Sequence, residues 1–123
     1  MLSDIKFQTV TANGINLRLA MQGSGPLIVL CHGWPESWYS WRHQIPALAN
    51  AGYTVVAYDV RGYGESDKPH AIEAYTLKEL AADVIGISDA LGFDRFITIG
   101  HDWGGPIALT TALLYPDRVY ATG

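Results

Sequence analysis

Phe93 to Ala108 reads F-D-R-F-I-T-I-G-H-D-W-G-G-P-I-A, and this stretch decides the fold. Phe96, Ile97, Thr98 and Ile99 are aromatic or β-branched, the pattern of a short buried strand. Gly104, Gly105 and Pro106 then open an apolar helix over Ile107 to Leu114, with proline tolerated in the first turn. Asp102 falls between them, at the carboxyl end of a strand, where ligands bind in α/β sheets. Gly100 and Gly104 leave room where strand and helix must nearly touch. The pattern is G-x-(nucleophile)-x-G, with Asp at the position usually held by Ser. A plainer alternative is an aspartate capping a helix N-terminus. The glycines two residues to either side favour the sharp strand-turn-helix.

The surrounding chain reads as alternating strands and helices. Lys6 to Thr11 alternates in polarity, as an edge strand does. Asn13-Gly14 is a hairpin signal, and Ile15 to Met21 alternates again. Leu27 to Leu30 is continuously apolar, as expected of a strand buried on both faces. The loop Cys31 to Glu36 follows it. Helical spacing then links Trp38, Trp41, Ile45 and Leu48, and Pro46 is expected to split this helix. Tyr53 to Tyr58 is another central strand, and Asp59 to Pro69 a glycine- and charge-rich loop. Thr76-Leu77-Lys78-Glu79 is a capping box. The helix that it opens turns Leu77, Leu80, Ala81, Val84, Ile87 and Leu91 inward and closes at Gly92. Val119 to Ala121 begins another strand. A β-hairpin followed by β-α-β-α-β-α makes a mostly parallel sheet, antiparallel at its N-terminal strands, between helical layers.

The chain has 123 residues, 49% hydrophobic and 16% charged, with a net charge of −4. That is enough for one globular domain with a modest core. Its basic residues are scattered, so nothing favours nucleic acid or an anionic membrane. No apolar run is long enough to span a bilayer, and the first residues do not resemble a signal peptide. A cytoplasmic location is the expectation. One cysteine excludes an internal disulfide, and no Cys/His spacing suggests a metal.

Three segments fall at carboxyl ends of strands: H-G-W-P-E-S-W-Y-S-W-R from His32, R-G-Y-G-E-S-D-K-P from Arg61, and G-H-D-W-G-G from Gly100. Together they resemble the α/β-hydrolase fold, and more narrowly its epoxide hydrolases. The resemblance covers about Gly14 to the end of the chain. It implies a three-layer sandwich in which residues 1–123 form the N-terminal part of a single domain, truncated before a helical lid. Asp102 is the implied nucleophile. The backbone N–H groups of Trp34 and Trp103 are the implied oxyanion hole, each donor typically worth about 3 kcal/mol. Pro35, expected after a cis peptide, and Trp103 are implied substrate contacts. His32, Gly33, Gly100, Gly104 and Gly105 are implied supports.

The chemistry agrees with the resemblance. An epoxide carbon is saturated. A serine attacking it would form an ether, which water does not readily cleave. A carboxylate forms an ester, which water can cleave at the carbonyl, and Asp is ionised without help at its ordinary pKa of about 3.9.

Other residues have structural roles in this reading. Cys31 is a buried small residue, and His32 braces its loop. Asp59, Arg61 and Ser66 stitch the loop after the strand ending at Tyr58. His101 points away from Asp102, His43 and His70 lie on the surface, and Trp38 and Trp41 belong to the core.

In such enzymes a lid supplies two tyrosines for the epoxide oxygen, and a later acid and histidine activate water. None of these can be assigned here. The chain alone is therefore expected to be inactive in turnover, with its elbow strand's outer apolar edge exposed. A complementing chain carrying lid and His/acid pair is the partner it would need. The substrate is a small epoxide, and no cofactor or metal is implied. The alternatives are a haloalkane dehalogenase and a non-catalytic truncated fragment. Dehalogenases usually place Asn where Trp34 stands. A fluoroacetate-type dehalogenase usually has Arg where Trp103 stands.

Overall fold

The computed structural model describes residues 4–123. Six strands form one sheet: β1 (Lys6–Ala12), β2 (Ile15–Gln22), β3 (Leu27–Cys31), β4 (Thr54–Tyr58), β5 (Phe96–Gly100) and β6 (Val119–Thr122). Their order across the sheet is β1-β2-β4-β3-β5-β6. β1 and β2 pair antiparallel around Asn13 (φ 50°) and Gly14 (φ 78°). Two successive positive φ angles make the tight hairpin turn that an Asn-Gly pair accommodates. β2 runs antiparallel to β4, and β4, β3, β5 and β6 are mutually parallel.

Helices α1 (Gln44–Asn50), α2 (Leu77–Leu91) and α3 (Gly104–Leu114) connect the parallel strands. Alternation along β3 divides the core in two. Leu27, Val29 and Cys31 pack with Val84 and Ile87 of α2 and Ile107 of α3. Ile28 and Leu30 face the other way, toward Ile45 of α1. This period of two is the physical content of a fully buried strand. From β3 the chain crosses to β4 on one side, then returns to β5 on the other. The carboxyl ends of β3 and β5 therefore flank a topological switch point, the usual place for a ligand crevice.

Three local expectations are revised. The helix break falls before Gln44, after a separate 3-10 turn at Trp38–Trp41. Pro46 sits inside the first turn of α1, where its missing N–H leaves no bond unmade. Leu77 does not face the core: it is 42% exposed and borders an open cavity. The edge of β5 is covered over Phe96, Ile97 and Thr98 by β6. Elsewhere α2 follows its sequence. The Thr76 hydroxyl accepts from the Glu79 N–H (3.3 Å), and Gly92 (φ 81°) ends the helix left-handed.

Candidate active site

The turn from β5 into α3 depends on absent side chains. A Cβ on Gly100 would stand 2.0 Å from the Gly104 carbonyl oxygen, and one on Gly104 would stand 2.0 Å from that of Cys31. Strand and helix can approach this closely only with glycine at both positions. Gly105 is different: nothing lies within 4 Å of its Cβ position. Its part in the turn is made by its main chain and not by a want of space for a side chain.

Asp102 occupies the apex with φ 58°, a left-handed conformation that an L side chain rarely adopts. The turn is held by main-chain bonds from the Gly104 N–H to the His101 carbonyl (2.9 Å) and from the Gly105 N–H to the Asp102 carbonyl (3.0 Å). The His101 N–H donates to the Cys31 carbonyl (3.1 Å), which ties the apex to the end of β3. Asp102 is exposed at the carboxyl face of the sheet.

The loop after β3 meets it there. A Cβ on Gly33 would stand 2.5 Å from the Asp102 Cβ, so only glycine allows the contact. The Trp34 N–H donates to Asp102 Oδ2 at 3.2 Å. The backbone N–H of Trp103 acts on the same carboxylate. Trp103 first and Trp34 second hold its pKa below the ordinary 3.8, with His101 adding a smaller pull and desolvation opposing. The Trp34–Pro35 peptide is cis. Pro35 itself is exposed and is not among the residues lining the adjoining cavity. The rings of Trp34 and Trp103, each 63% exposed, do line it.

His32 explains why the Trp34 N–H points at Asp102. Its imidazole is buried. Nε2 accepts from the Val60 N–H (3.0 Å), which leaves the proton on Nδ1 to donate to the Gly33 carbonyl (2.7 Å). That carbonyl also accepts from the Glu36 N–H (3.1 Å). The Gly33 carbonyl and the Trp34 N–H belong to one planar peptide. Two donors holding the oxygen on one side therefore aim the N–H to the other. Burial lowers the His32 pKa below 6.5, with the Gly33 carbonyl, Asp59 and Glu36 opposing.

The loop after β4 is stitched as expected. The Asp59 carboxylate accepts from the N–H groups of Trp38 and Glu65 (both 2.9 Å). The Ser66 hydroxyl donates to the Asp59 carbonyl (2.5 Å) and accepts from the Arg18 N–H (2.9 Å). Arg61 reaches farther, to Asp83 of α2 through Nε (2.9 Å) and Nη2 (2.7 Å). Cys31 is buried and its thiol pushed up to about 11, chiefly by that burial. His43 and His70 are exposed, and Trp38 and Trp41 pack against the α1-side core.

Two residues near the apex escaped the sequence reading. The Glu36 carboxylate accepts from the Gly33 N–H (2.7 Å) and lies 3.5 Å from His101 Nδ1. It thus joins the two loops beside Asp102. The spacing Gly33-x-x-Glu36, in which an acid reaches back three residues as in a capping box, was the available signal. Tyr63 stands edge-on to His32, with ring centroids 5.1 Å apart. No spacing marked it, because it arrives from a different loop. A cavity of about 470 Å³ opens beside these groups. Among the described residues no group of three Cys, His, Asp or Glu side chains could hold a metal ion.

Residues 26–121 match the family described as alpha/beta hydrolase fold. Epoxide hydrolase B of Mycobacterium tuberculosis is 62% identical over 94 residues, which is 76% of this chain and 26% of that protein. Bifunctional epoxide hydrolase 2 of Sus scrofa is 52% identical over 108 residues, 88% of this chain and 20% of that protein. The crystal structure of an epoxide hydrolase from Vigna radiata superposes with a TM-score of 0.96 at 40% identity, covering 99% of this chain and 38% of that one. The chain thus spans between a fifth and two fifths of the length of these relatives. With the sheet order, the glycine-built apex and a family match across most of its length, the chain belongs to the α/β-hydrolase fold family.

Proposed function

We propose that this chain carries the nucleophilic half of an epoxide hydrolase. One observation carries the reading: a carboxylate at a left-handed strand-to-helix apex that accepts from the Trp34 backbone N–H, with the neighbouring Trp103 N–H lowering its pKa. The names of the relatives support the substrate class.

In this mechanism an Asp102 oxygen attacks a ring carbon of the epoxide. The C–O bond of the ring breaks, its electron pair goes to the ring oxygen, and that oxygen takes a proton. The product is a hydroxyalkyl ester of Asp102. Water attacking the ester carbonyl forms a tetrahedral oxyanion on the former carboxylate, within reach of the two N–H groups. Loss of the alkoxide, which takes up a proton, releases a vicinal diol and restores the carboxylate. Such donors act most strongly where charge develops, each typically worth about 3 kcal/mol.

Neither His32 nor His101 supplies the base for the second step. His32 is buried with both nitrogens engaged, and His101 is turned toward Glu36. The ester is therefore expected to form and to persist.

Intact-mass spectrometry tests this. Incubation with a terminal epoxide should add the full mass of the epoxide once per chain, and peptide mapping should place it on Asp102. Asp102→Asn should abolish the adduct. The absence of an adduct, or one that survives Asp102→Asn, overturns the reading. Halide release from a bromoalkane without reaction toward epoxides would favour a dehalogenase instead.

A further inference from the structure

We propose that Asn13 is a modification site: a deamidation centre at the β1–β2 turn whose conversion to aspartate or isoaspartate releases the hairpin from α2. It lies apart from Asp102 and does not depend on the reading of that residue.

Asn13 is exposed and is followed by Gly14. Nothing lies within 4 Å of the Cβ position of Gly14, so its main-chain nitrogen can approach the Asn13 side chain unhindered. The other two asparagines of the chain are placed differently. Asn16 precedes the fully buried Leu17, and its side-chain oxygen accepts from the Thr11 hydroxyl (2.9 Å). Asn50 precedes Ala51, whose N–H is committed to the Leu48 carbonyl (3.1 Å) at the end of α1.

In the reaction the Gly14 nitrogen attacks Asn13 Cγ. The Cγ–Nδ2 bond breaks, and Nδ2 leaves as ammonia with the proton given up by the Gly14 N–H. Water then opens the cyclic imide. Attack at Cγ gives aspartate, and attack at the main-chain carbonyl gives isoaspartate. The sum is amide and water to carboxylic acid and ammonia, with nothing oxidised or reduced.

The consequence follows from what the amide holds. Asn13 Nδ2 donates to Asp83 Oδ1 (3.0 Å), to the Glu79 carbonyl (3.3 Å) and to Glu79 Oε2 (3.4 Å). Beside it Ala12 sits over Gly86, where a Cβ would stand 2.6 Å from the Ala12 Cβ. Glu79, Asp83 and Gly86 succeed one another along one face of α2. A carboxylate at this position has no N–H to donate and meets two carboxylates instead, a repulsive arrangement. Asp83 is buried and cannot turn away, because Arg61 holds both its oxygens (2.7 and 2.9 Å). Isoaspartate also adds a carbon to the main chain of a two-residue turn, which upsets the Ala12–Ile15 pairing that the turn sets.

The first test incubates the folded chain at mildly alkaline pH and follows all three asparagines by peptide mapping and mass spectrometry. Residue 13 should lose its amide first, with part of the product labelled by an isoaspartyl methyltransferase. Loss at Asn13 no faster than at Asn16 and Asn50 would overturn the site. The second test compares melting temperatures. Asn13→Gly keeps the turn and removes the amide, whereas Asn13→Asp adds the charge. Asn13→Asp should melt about 4 °C or more below Asn13→Gly, and adding Glu79→Gln to Asn13→Asp should restore part of the difference. Equal melting of Asn13→Asp and the original chain would overturn the release. Should Asn13→Asp fail to fold, the aged original chain, separated from fresh chain by ion exchange, gives the same comparison.

Discussion

Among single residues, His32 does most to aim the Trp34 N–H, and it does so as a neutral ring. Nε2 must stay unprotonated to accept from the Val60 N–H. Because burial holds its pKa below 6.5 in the fold, the unfolded chain takes up a proton at a pH where the folded chain does not. The stability contributed by the neutral ring is therefore full above 6.5. It is lost as pH falls from there toward the lowered folded value. Melting temperature followed by circular dichroism should drop between about pH 7 and about pH 5.5. In His32→Gln, which cannot titrate, the drop over the same window should be smaller. Equal slopes would remove His32 as the cause. The place of Asp102 at the strand-to-helix turn was legible in the sequence because its evidence is local: two glycines, each two residues away, can be read from five letters. Glu36 was not, because its partners are set by two loops meeting in space.

Among elements, the contact between β5, α3 and the end of β3 is the tightest constraint, and it yields a pair of opposite expectations. Gly104→Ala places a methyl 2.0 Å from a backbone oxygen and should cost about 3 kcal/mol or more, since backbone cannot swing aside as a side chain can. Gly105→Ala, one residue on in the same helix, faces open space. It should be stabilising by about 0.5–1 kcal/mol through the lower backbone entropy of alanine. Urea unfolding of both variants checks this, and a shared sign would refute the steric account. The G-G pair looked uniform in sequence because residue type carries no information about which neighbour a Cβ would meet. The strands and helices themselves were legible from periodicity and caps. Leu77 was misread because its helical spacing matched that of the core residues, while its side chain borders an open cavity.

At the scale of the whole molecule, the Arg61–Asp83 pair fastens parts that are distant in sequence. Asp83 is buried in α2 and accepts from Arg61 and also from Asn13 Nδ2 (3.0 Å) at the β1–β2 turn. Arg61→Met alone leaves a buried carboxylate without its cation and should cost about 3–5 kcal/mol. The double variant Arg61→Met with Asp83→Leu should recover much of that loss, because no unpaired charge remains. Thermal unfolding of single and double variants measures the difference, and additive losses would contradict it. The mixed sheet was legible from the hairpin followed by alternating strands and helices. Its order was not, because placing β3 between β4 and β5 is a matter of long-range pairing. That placement has a consequence for how the chain is made. Trp34 and Asp102 are separated by 68 residues, which a ribosome adds in roughly 3 to 14 s at about 5–20 residues per second. Once β4 has been added, β3 has that strand on one side and, until β5 follows, no partner for its other row of amides. The nascent chain passes through a window in which the strand that will meet the Asp102 turn is a bare edge, and chaperone capture or mispairing would act there.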